Sequence, residues 1–303
     1  MKNEHIPKVG ISLLAYNQGK YIEEAIDALK GQSFQDFEVF LIDDASDDGY
    51  TTEILKNIKY EKITQKYFYE KNLGSATRRL NQYKKMKNEY VLDLCADDVL
   101  APDFLKKTVE FLDKHKDYGA VSVNIKTFEN DIDSPTWEKK YDASKMILPC
   151  VLARNQILGS SLERNIALQQ SDLSGGFVRY NDWDRWISML EAGWKIGLVP
   201  DFLFYYRQLP SSLSHSATIE DELEIRKKLL KKHKRSYQKY YEDVIMNMEY
   251  VFLEMLEGKN WLEEQYKIKI NEITQLKEEL EKRQNNDCSI WRRIKNKIRR
   301  IKR

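Results

Sequence analysis

Three nearly unbroken apolar runs in the first hundred residues, at 9–15, 37–42 and 90–95, limit what this chain can fold into. A strand buried on both faces reads as a continuous apolar run, and strands that alternate with helical patterns imply crossovers and a parallel sheet. The intervening sequence fits that scheme. Tyr21, Ile22, Ala25, Ile26 and Leu29 recur at helical spacing. Further helices are expected over 52–58, 75–86 and 103–115, with Pro102 placed to open the last of them. Ligands of such sheets bind outside the carboxyl ends of the strands. Two of the three runs stop at paired aspartates, Asp43-Asp44 and Asp97-Asp98.

Beyond residue 121 the pattern is less regular, with a loop at 131–136. A helix is expected over 184–192, closing on Gly193, then strands at 194–199 and 202–206. From about 220 to 283 the chain is charged, glycine-poor and helical in character. Leu262, Tyr266, Ile273, Leu276 and Leu280 follow a heptad interrupted by Lys269, which allows self-association through 260–283. These changes divide the chain into segments 1–125, 126–215 and 216–303.

At 303 residues the chain can bury a full-sized core. Its 50 basic and 48 acidic residues leave a net charge of +2, so no strong overall field directs it to a partner. Charge gathers instead at the end, in IWRRIKNKIRRIKR. There Ile290, Ile294, Ile298 and Ile301 share a helical face beside Trp291, among eight Lys and Arg over 292–303. A basic amphipathic helix of this kind suits an anionic membrane surface. The rest of the chain has no basic stripe or recognition motif, and nucleic acid is not expected as a partner. Cys95, Cys150 and Cys288 form no CxxC pair and read as reduced thiols. No run approaches the ~20 apolar residues of a membrane span. The expected location is cytoplasmic, peripheral to the membrane at most.

Paired carboxylates after a strand have two readings. Asp97-Asp98 could cap the helix that follows. Equally, hard divalent cations such as Mg2+ or Mn2+ are held by one or two carboxylates plus substrate phosphates. Spacing alone leaves both open.

A resemblance bears on that choice. AYN, QSFQDFEVFLIDDAS, NLGSATRRLN, EYVLDLCADDVL and NDWDRWISMLEAGWKIGLVPDFLFYYR occur in this order over about 6–215. Together they resemble the family 2 glycosyltransferases, which adopt the GT-A fold, a Rossmann-like α/β fold with a mostly parallel central sheet. The resemblance implies an inverting transfer of a sugar from a nucleotide-sugar donor to a glycan or lipid-linked acceptor in bacterial-type surface polysaccharide synthesis. It makes 1–125 a donor-binding subdomain, 126–215 an acceptor-binding subdomain and 216–303 a helical extension. Tyr16 matches the aromatic that stacks on the base, and Asp44 the acid that hydrogen-bonds it. A carboxylate there suits the imide of uracil or thymine, favouring UDP- or dTDP-sugars. Arg79, or its neighbour Arg78, matches a basic residue beside the nucleotide; Arg78 otherwise reads as an exposed helix charge.

Asp97 and Asp98 match the end of the family's DxD(D) signature, and so would hold the metal and diphosphate. The sequence departs from the common form at Cys95, where the first Asp usually stands, and a thiol is a poor ligand for Mg2+. Asp182 matches the general base, with Asn181 in place of the usual Glu; a cap of the next helix is the competing role. Gly175-Gly176-Phe177 and Gly159-Ser160-Ser161 would shape the acceptor pocket. Arg207 would meet the diphosphate or pair with a carboxylate, and His215 would be a further metal ligand or a surface histidine. Two rival classes remain. A sugar nucleotidyltransferase would carry a GxGxR loop where this chain has AYNQGKY. A GT-A-fold binding protein without turnover would not need all of Asp44, Asp97, Asp98 and Asp182.

Overall fold

The computed structural model describes residues 5–174, 176–177, 179–209, 218–264, 267, 268 and 271. Strand and helix alternate through the first half: β1 (Val9–Ala15), α1 (Ile22–Lys30), β2 (Phe37–Asp43), α2 (Thr51–Asn57), β3 (Ile63–Phe68), α3 (Gly74–Tyr83), β4 (Tyr90–Cys95), β5 (Val99–Leu100) and α4 (Phe104–Lys114). The second half contains β6 (Tyr118–Phe128), β7 (Trp137–Lys139), α5 (Leu148–Ala153), β8 (Leu162–Arg164), α6 (Asn165–Gln170), α7 (Asn181–Glu191), β9 (Lys195–Arg207), α8 (Ile219–Lys232) and α9 (Lys234–Lys239).

Among the described residues the sheet runs β3-β2-β1-β4-β8-β6-β9-β5, with β7 paired to β6. β1 to β4 are mutually parallel, as continuous burial demands. Every residue of β1 is buried, between β2 on one side and β4 on the other. The α1 face predicted from spacing, Ile22, Ala25, Ile26 and Leu29, packs into the same core. β8 then pairs antiparallel with both β4 and β6, so the sheet is mixed rather than wholly parallel. This is the α/β architecture expected from the alternation, with helices following the last strand.

The expected strands at 194–199 and 202–206 are one strand, β9. Pro200 lacks an N–H for the ladder, and the β6–β9 register shifts between Val123 and Asn124. Asn124 Nδ2 donates to the Pro200 carbonyl at 2.8 Å and keeps the strand in place across the irregularity. The helix expected from 184 begins three residues earlier, at Asn181, so Asp182 lies within its first turn. The expected loop at 131–136 is confirmed, between β6 and β7.

α8 opens with a capping box: Asp221 N–H donates to Thr218 Oγ1 at 3.1 Å, and Thr218 N–H to Asp221 Oδ2 at 3.0 Å. Its far end locks onto α7. Lys232 Nζ lies 2.8 Å from both oxygens of buried Asp184, and His233 bridges Asp184 and Glu191 at 2.8 Å each.

The chain divides into two compact units, Met1–Ile245 and Met246–Arg303. Within the second, residues 246–264 are helical and expose large side chains including Met246, Phe252, Met255, Trp261 and Leu262. Most of the heptad at 262–280, Cys288 and the basic tail at 290–303 lie outside the described residues. Among those described, no helix is long and apolar enough to cross a membrane.

The α7–α8 lock is pH-sensitive. Burial alone would depress His233, but its hydrogen bonds to Asp184 and Glu191 raise it above its ordinary 6.5. A raised folded value means the stabilisation is complete below the ordinary value of 6.5 and is lost as pH climbs from there through the higher folded value. His233→Gln is expected to remove this fading, read as thermal midpoints from pH 6 to 9 against the unaltered chain.

Candidate active site

The carboxyl ends of β1, β2 and β4 lie side by side, and the loops leaving them are tied together by polar side chains. After β1, Tyr16 is 39% exposed and Asn17 takes a positive φ of 56°. Asn17 Nδ2 donates to Asp47 Oδ1 at 2.7 Å while the Asp47 N–H returns to Asn17 Oδ1 at 2.9 Å. Tyr16 Oη reaches the same Asp47 oxygen at 3.3 Å. After β2, buried Asp43 fixes its own loop through the Ser46 N–H and hydroxyl at 3.0 and 2.6 Å, and through Thr52 of α2.

Asp44 is buried and already engaged. It accepts from the N–H groups of Leu73 and Gly74 at 3.1 and 2.8 Å, and from Arg78 Nε at 2.5 Å. Gly74 starts α3 at a φ of +79°, open to glycine, which lets this N–H pair turn onto the carboxylate. Arg78 is therefore not the exposed helix charge its sequence suggested: it is 4% exposed, with its guanidinium 3.5 Å from the Tyr69 ring centre. Arg79 is the inward neighbour. Its Nη2 lies 3.4 Å from Cys95 Sγ, and its Nε lies 3.4 Å from Asp93.

Asp97 and Asp98 follow β4 at 8% and 3% exposure. They do not cap α4, whose N-cap is Asp103. Arg207, ending β9, encloses them: its N–H donates to Asp98 Oδ1 at 3.1 Å and its Nε to the Asp97 carbonyl at 3.0 Å. The guanidinium lies between the Tyr21 and Phe128 rings, pairs with Glu24 and donates to the Glu129 carbonyl at 2.9 Å. Gln18, from the loop after β1, hydrogen-bonds Asp97.

Burial raises both carboxyls; for Asp98 the adjacent Asp97 charge adds to it and the rise is large. Ligand atoms of Cys95, Asp97 and Asp98 lie within 4.8 Å of one another. Two crowded, desolvated carboxylates fit a hard divalent cation, Mg2+ or Mn2+. The Cys95 thiol does not, because a soft sulfur donor suits a hard cation poorly.

Asp182 stands in the first turn of α7, where the helix dipole favours an anion. Asn155 Nδ2 donates to its Oδ2 at 2.8 Å, and Gly159 packs against the same carboxylate. Its charge is felt at Lys139 and Tyr141, both largely desolvated. Burial lowers Lys139, and burial raises Tyr141 beyond the usual phenol range. The neighbouring Asp184 points instead to the α8 lock. One turn on, Arg185 reaches Asp93, Tyr83, Glu163 and the Gly159 carbonyl.

Of the remaining candidates, Gly176 has a φ of +61° and borders a small cavity with Thr77, Arg79, Phe177, Asn181 and Arg185. Ser160 and Ser161 are buried, with Ser161 Oγ bonded to the Leu158 carbonyl at 2.7 Å. Gly175 and His215 lie outside the described residues. Sequence reasoning passed over Gln18, Asn155, Lys139, Tyr141, Asp93, Glu163 and Arg185. No local spacing marks them, because their partners are distant in the chain.

A mixed α/β sheet with buried carboxylates beyond β4, and with Asp182 and Asp184 in the first turn of α7, has the GT-A architecture. Residues 11–176 match the family described as glycosyl transferase family 2, more than half of the chain, and the protein belongs to that family. It is a glycosyltransferase.

Among relatives, it is 27% identical to a Bacillus subtilis (strain 168) protein named as a teichuronic acid biosynthesis glycosyltransferase, TuaG, over 69% of this chain and 82% of that one. Among solved structures, the S. aureus TarS fragment 1–349 in complex with UDP-GlcNAc superimposes with a TM-score of 0.55 at 21% identity. The match covers 70% of this chain and 62% of that fragment, less than two thirds of it. The mannosyltransferase PcManGT from Pyrobaculum calidifontis, in complex with GDP-Man and Mn2+, gives 0.56 at 17% identity, covering 79% and 69%.

Raised carboxyls hold protons that an incoming cation must displace, so affinity for metal is expected to fall as pH is lowered. In the presence of UDP, Mn2+ should raise the thermal midpoint of the protein at pH 8 more than at pH 6. Asp98→Asn should abolish that increment at both.

Proposed function

We propose that this glycosyltransferase moves a sugar, with inversion at its anomeric carbon, from a UDP- or dTDP-sugar to a hydroxyl of a glycan or lipid-linked acceptor. The observation that carries the reading is the buried Asp97-Asp98 pair, whose carboxylate oxygens lie within 4.8 Å of each other. Asp97 and Asp98 would hold a divalent ion there, and the ion, when bound, supplies Lewis-acid neutralisation of the departing diphosphate.

Tyr16, exposed at the lip of the cleft, offers its ring to the base. Asp44 accepts three hydrogen bonds from the protein, and a carboxylate has about four acceptor sites. One site is left for a donor such as the imide N–H of uracil or thymine. Asp182, held by Asn155, takes the proton of the acceptor hydroxyl as the oxygen attacks the anomeric carbon and the bond from that carbon to the diphosphate breaks. Arg207 acts here by shaping the Asp97-Asp98 loop, its guanidinium being engaged by Glu24 and Glu129.

The bound species in the neighbouring structures, UDP-GlcNAc and GDP-Man with Mn2+, support a nucleotide-sugar donor and a metal for this chain. The name of the Bacillus relative supports an acceptor in surface polysaccharide synthesis. For location we propose the cytoplasmic face of a membrane, engaged through 290–303, with self-association through 260–283 as a property of the extension.

Asp182→Asn is expected to lower transfer from a UDP-sugar by roughly 10²–10⁴-fold while UDP affinity, measured by calorimetry, stays within twofold. Unchanged turnover would remove Asp182 from the chemistry. Nucleotide binding with no turnover by the unaltered chain would make the protein a binding homologue. Truncation after Asn286 should move the protein from membrane to soluble fractions and spare transfer to a soluble acceptor; unchanged fractionation would rule out the anchor.

A further inference from the structure

We infer that Arg185 is the positioning residue for Asp182, acting as the hub of a buried charge brace with Glu163, Asp93 and Arg79. The inference rests on Asp182 being the base.

Arg185 stands one turn after Asp182 on α7. Its Nη2 donates to the Gly159 carbonyl at 2.8 Å. Its Nη1 donates to the Tyr83 hydroxyl at 2.9 Å and to Asp93 Oδ2 at 3.1 Å. Its Nε lies 3.2 Å from Glu163 Oε2. Gly159 is the link to the base, since a Cβ built there would come within 3.4 Å of Asp182 Oδ2. The segment that carries Gly159 also carries Asn155, which bonds Asp182 directly, and it leads into β8, where Glu163 sits opposite Val91 of β4. Asp93 is on β4 itself, two residues before Cys95 and four before Asp97. One guanidinium therefore grips both the segment packed on the base and the strand that ends at the Asp97-Asp98 pair.

Arg79 extends the brace to α3. It contacts Asp93 at 3.4 Å on one side and Cys95 at 3.4 Å on the other. The Asp93, Glu163 and Arg185 side chains are each no more than 3% exposed. Yet the cluster is not built as efficient stabilisation. Asp93 Oδ1 and both Glu163 oxygens have no hydrogen-bond donor among the described residues. Burial pushes the Glu163 carboxyl up to about 8 against the pull of Arg185. Apolar side chains in place of such buried ions commonly leave a protein as stable or more so. What apolar packing lacks is direction: a guanidinium fork fixes angles as well as separations. A cluster that spans both halves of a reaction site adds orientation, and the group it orients is the one touching Gly159.

The test pairs a variant that removes both partners with a conservative one. Glu163→Leu with Arg185→Met removes the buried carboxyl together with the guanidinium beside it and leaves Asp93 to Arg79. This double variant is expected to fold and to bind UDP with unchanged affinity. Its kcat for transfer should fall about 10²-fold at constant donor KM, the scale of a misplacement of about 1 Å at a reacting group. A larger share of donor should go to water instead of acceptor. In an Asp182→Asn background the same pair of changes should add little further loss, since a residue acting through the base has nothing left to position. Arg185→Lys, which keeps charge and loses the fork, should retain UDP binding and recover only part of the rate.

Wild-type kcat in the double variant, full activity in Arg185→Lys, or fully additive losses with Asp182→Asn would each overturn the brace. Should the double variant fail to fold, Arg185→Lys decides alone. If Asp182→Asn itself keeps full transfer, the assignment of the base fails instead, whatever the Arg185 variants do.

Discussion

Arg207 ends β9 in the interior, and the loop that carries Asp97 and Asp98 takes its form from that. A guanidinium cannot shed its charge, so burying one requires partners on every side. Here Glu24 of α1 meets the charge, the Tyr21 and Phe128 rings lie close to the guanidinium, and the carbonyls of Asp97 and Glu129 accept from Nε and Nη1. Four segments far apart in sequence are thereby pinned at one point. The aspartates beside it receive mainly dipoles in return: a backbone N–H at Asp98 and an amide at Asp97. With Glu24 drawing on the same cation, the pair stays short of positive charge, which is the condition a cation site needs.

α7 shows how one short helix serves three purposes. Successive residues of a helix point about 100° apart. Asp182, Asp184 and Arg185 therefore leave the axis in different directions. The first meets Asn155 and Gly159, the second meets the lysine and histidine at the end of α8, and the third enters the sheet layer. Tyr180, in the left-handed region at a φ of 54°, swings the chain into this helix and sets where those directions fall. Misrotation of α7 would disturb the base, the lock and the brace together.

The sequence was most readable where burial was unbroken. β1, β2 and β4 are continuous apolar runs, and each lies where its run predicted, as do α1 and α4 to within a residue or two. β3 was not expected, because an edge strand with half its residues toward solvent, ITQKYF, shows no such run. β6 was hidden for another reason: Ser122, Asn124 and Thr127 are polar yet buried, satisfied by Leu158, Pro200 and Thr136, none of them near in sequence. The site divided along the same line. Asp43-Asp44 and Asp97-Asp98 stood out because each pair follows a legible strand, whereas Asp182 and the roles of all these residues came only with the family resemblance. The Arg78–Arg79 pair was readable only as a pair, since one residue of helical rotation decides which turns to Asp44 and which to Asp93. The partners of Arg185 lie 22 to 102 positions away and were beyond any local pattern.

The bond between Asp184 and the end of α8 bears on where the enzyme stops. The last core strand finishes at Arg207, and by topology alone the transferase would be complete there. But an aspartate buried beneath α7 needs a counter-charge, and the chain supplies it from Lys232 and His233, some twenty-five residues after the strand. The stretch from 218 to 245 is in that sense part of the first compact unit, tied to α7 by buried charge. A homologue that diverges after its final strand could keep the residues of the sheet ends and still lose the counter-charge that holds α7.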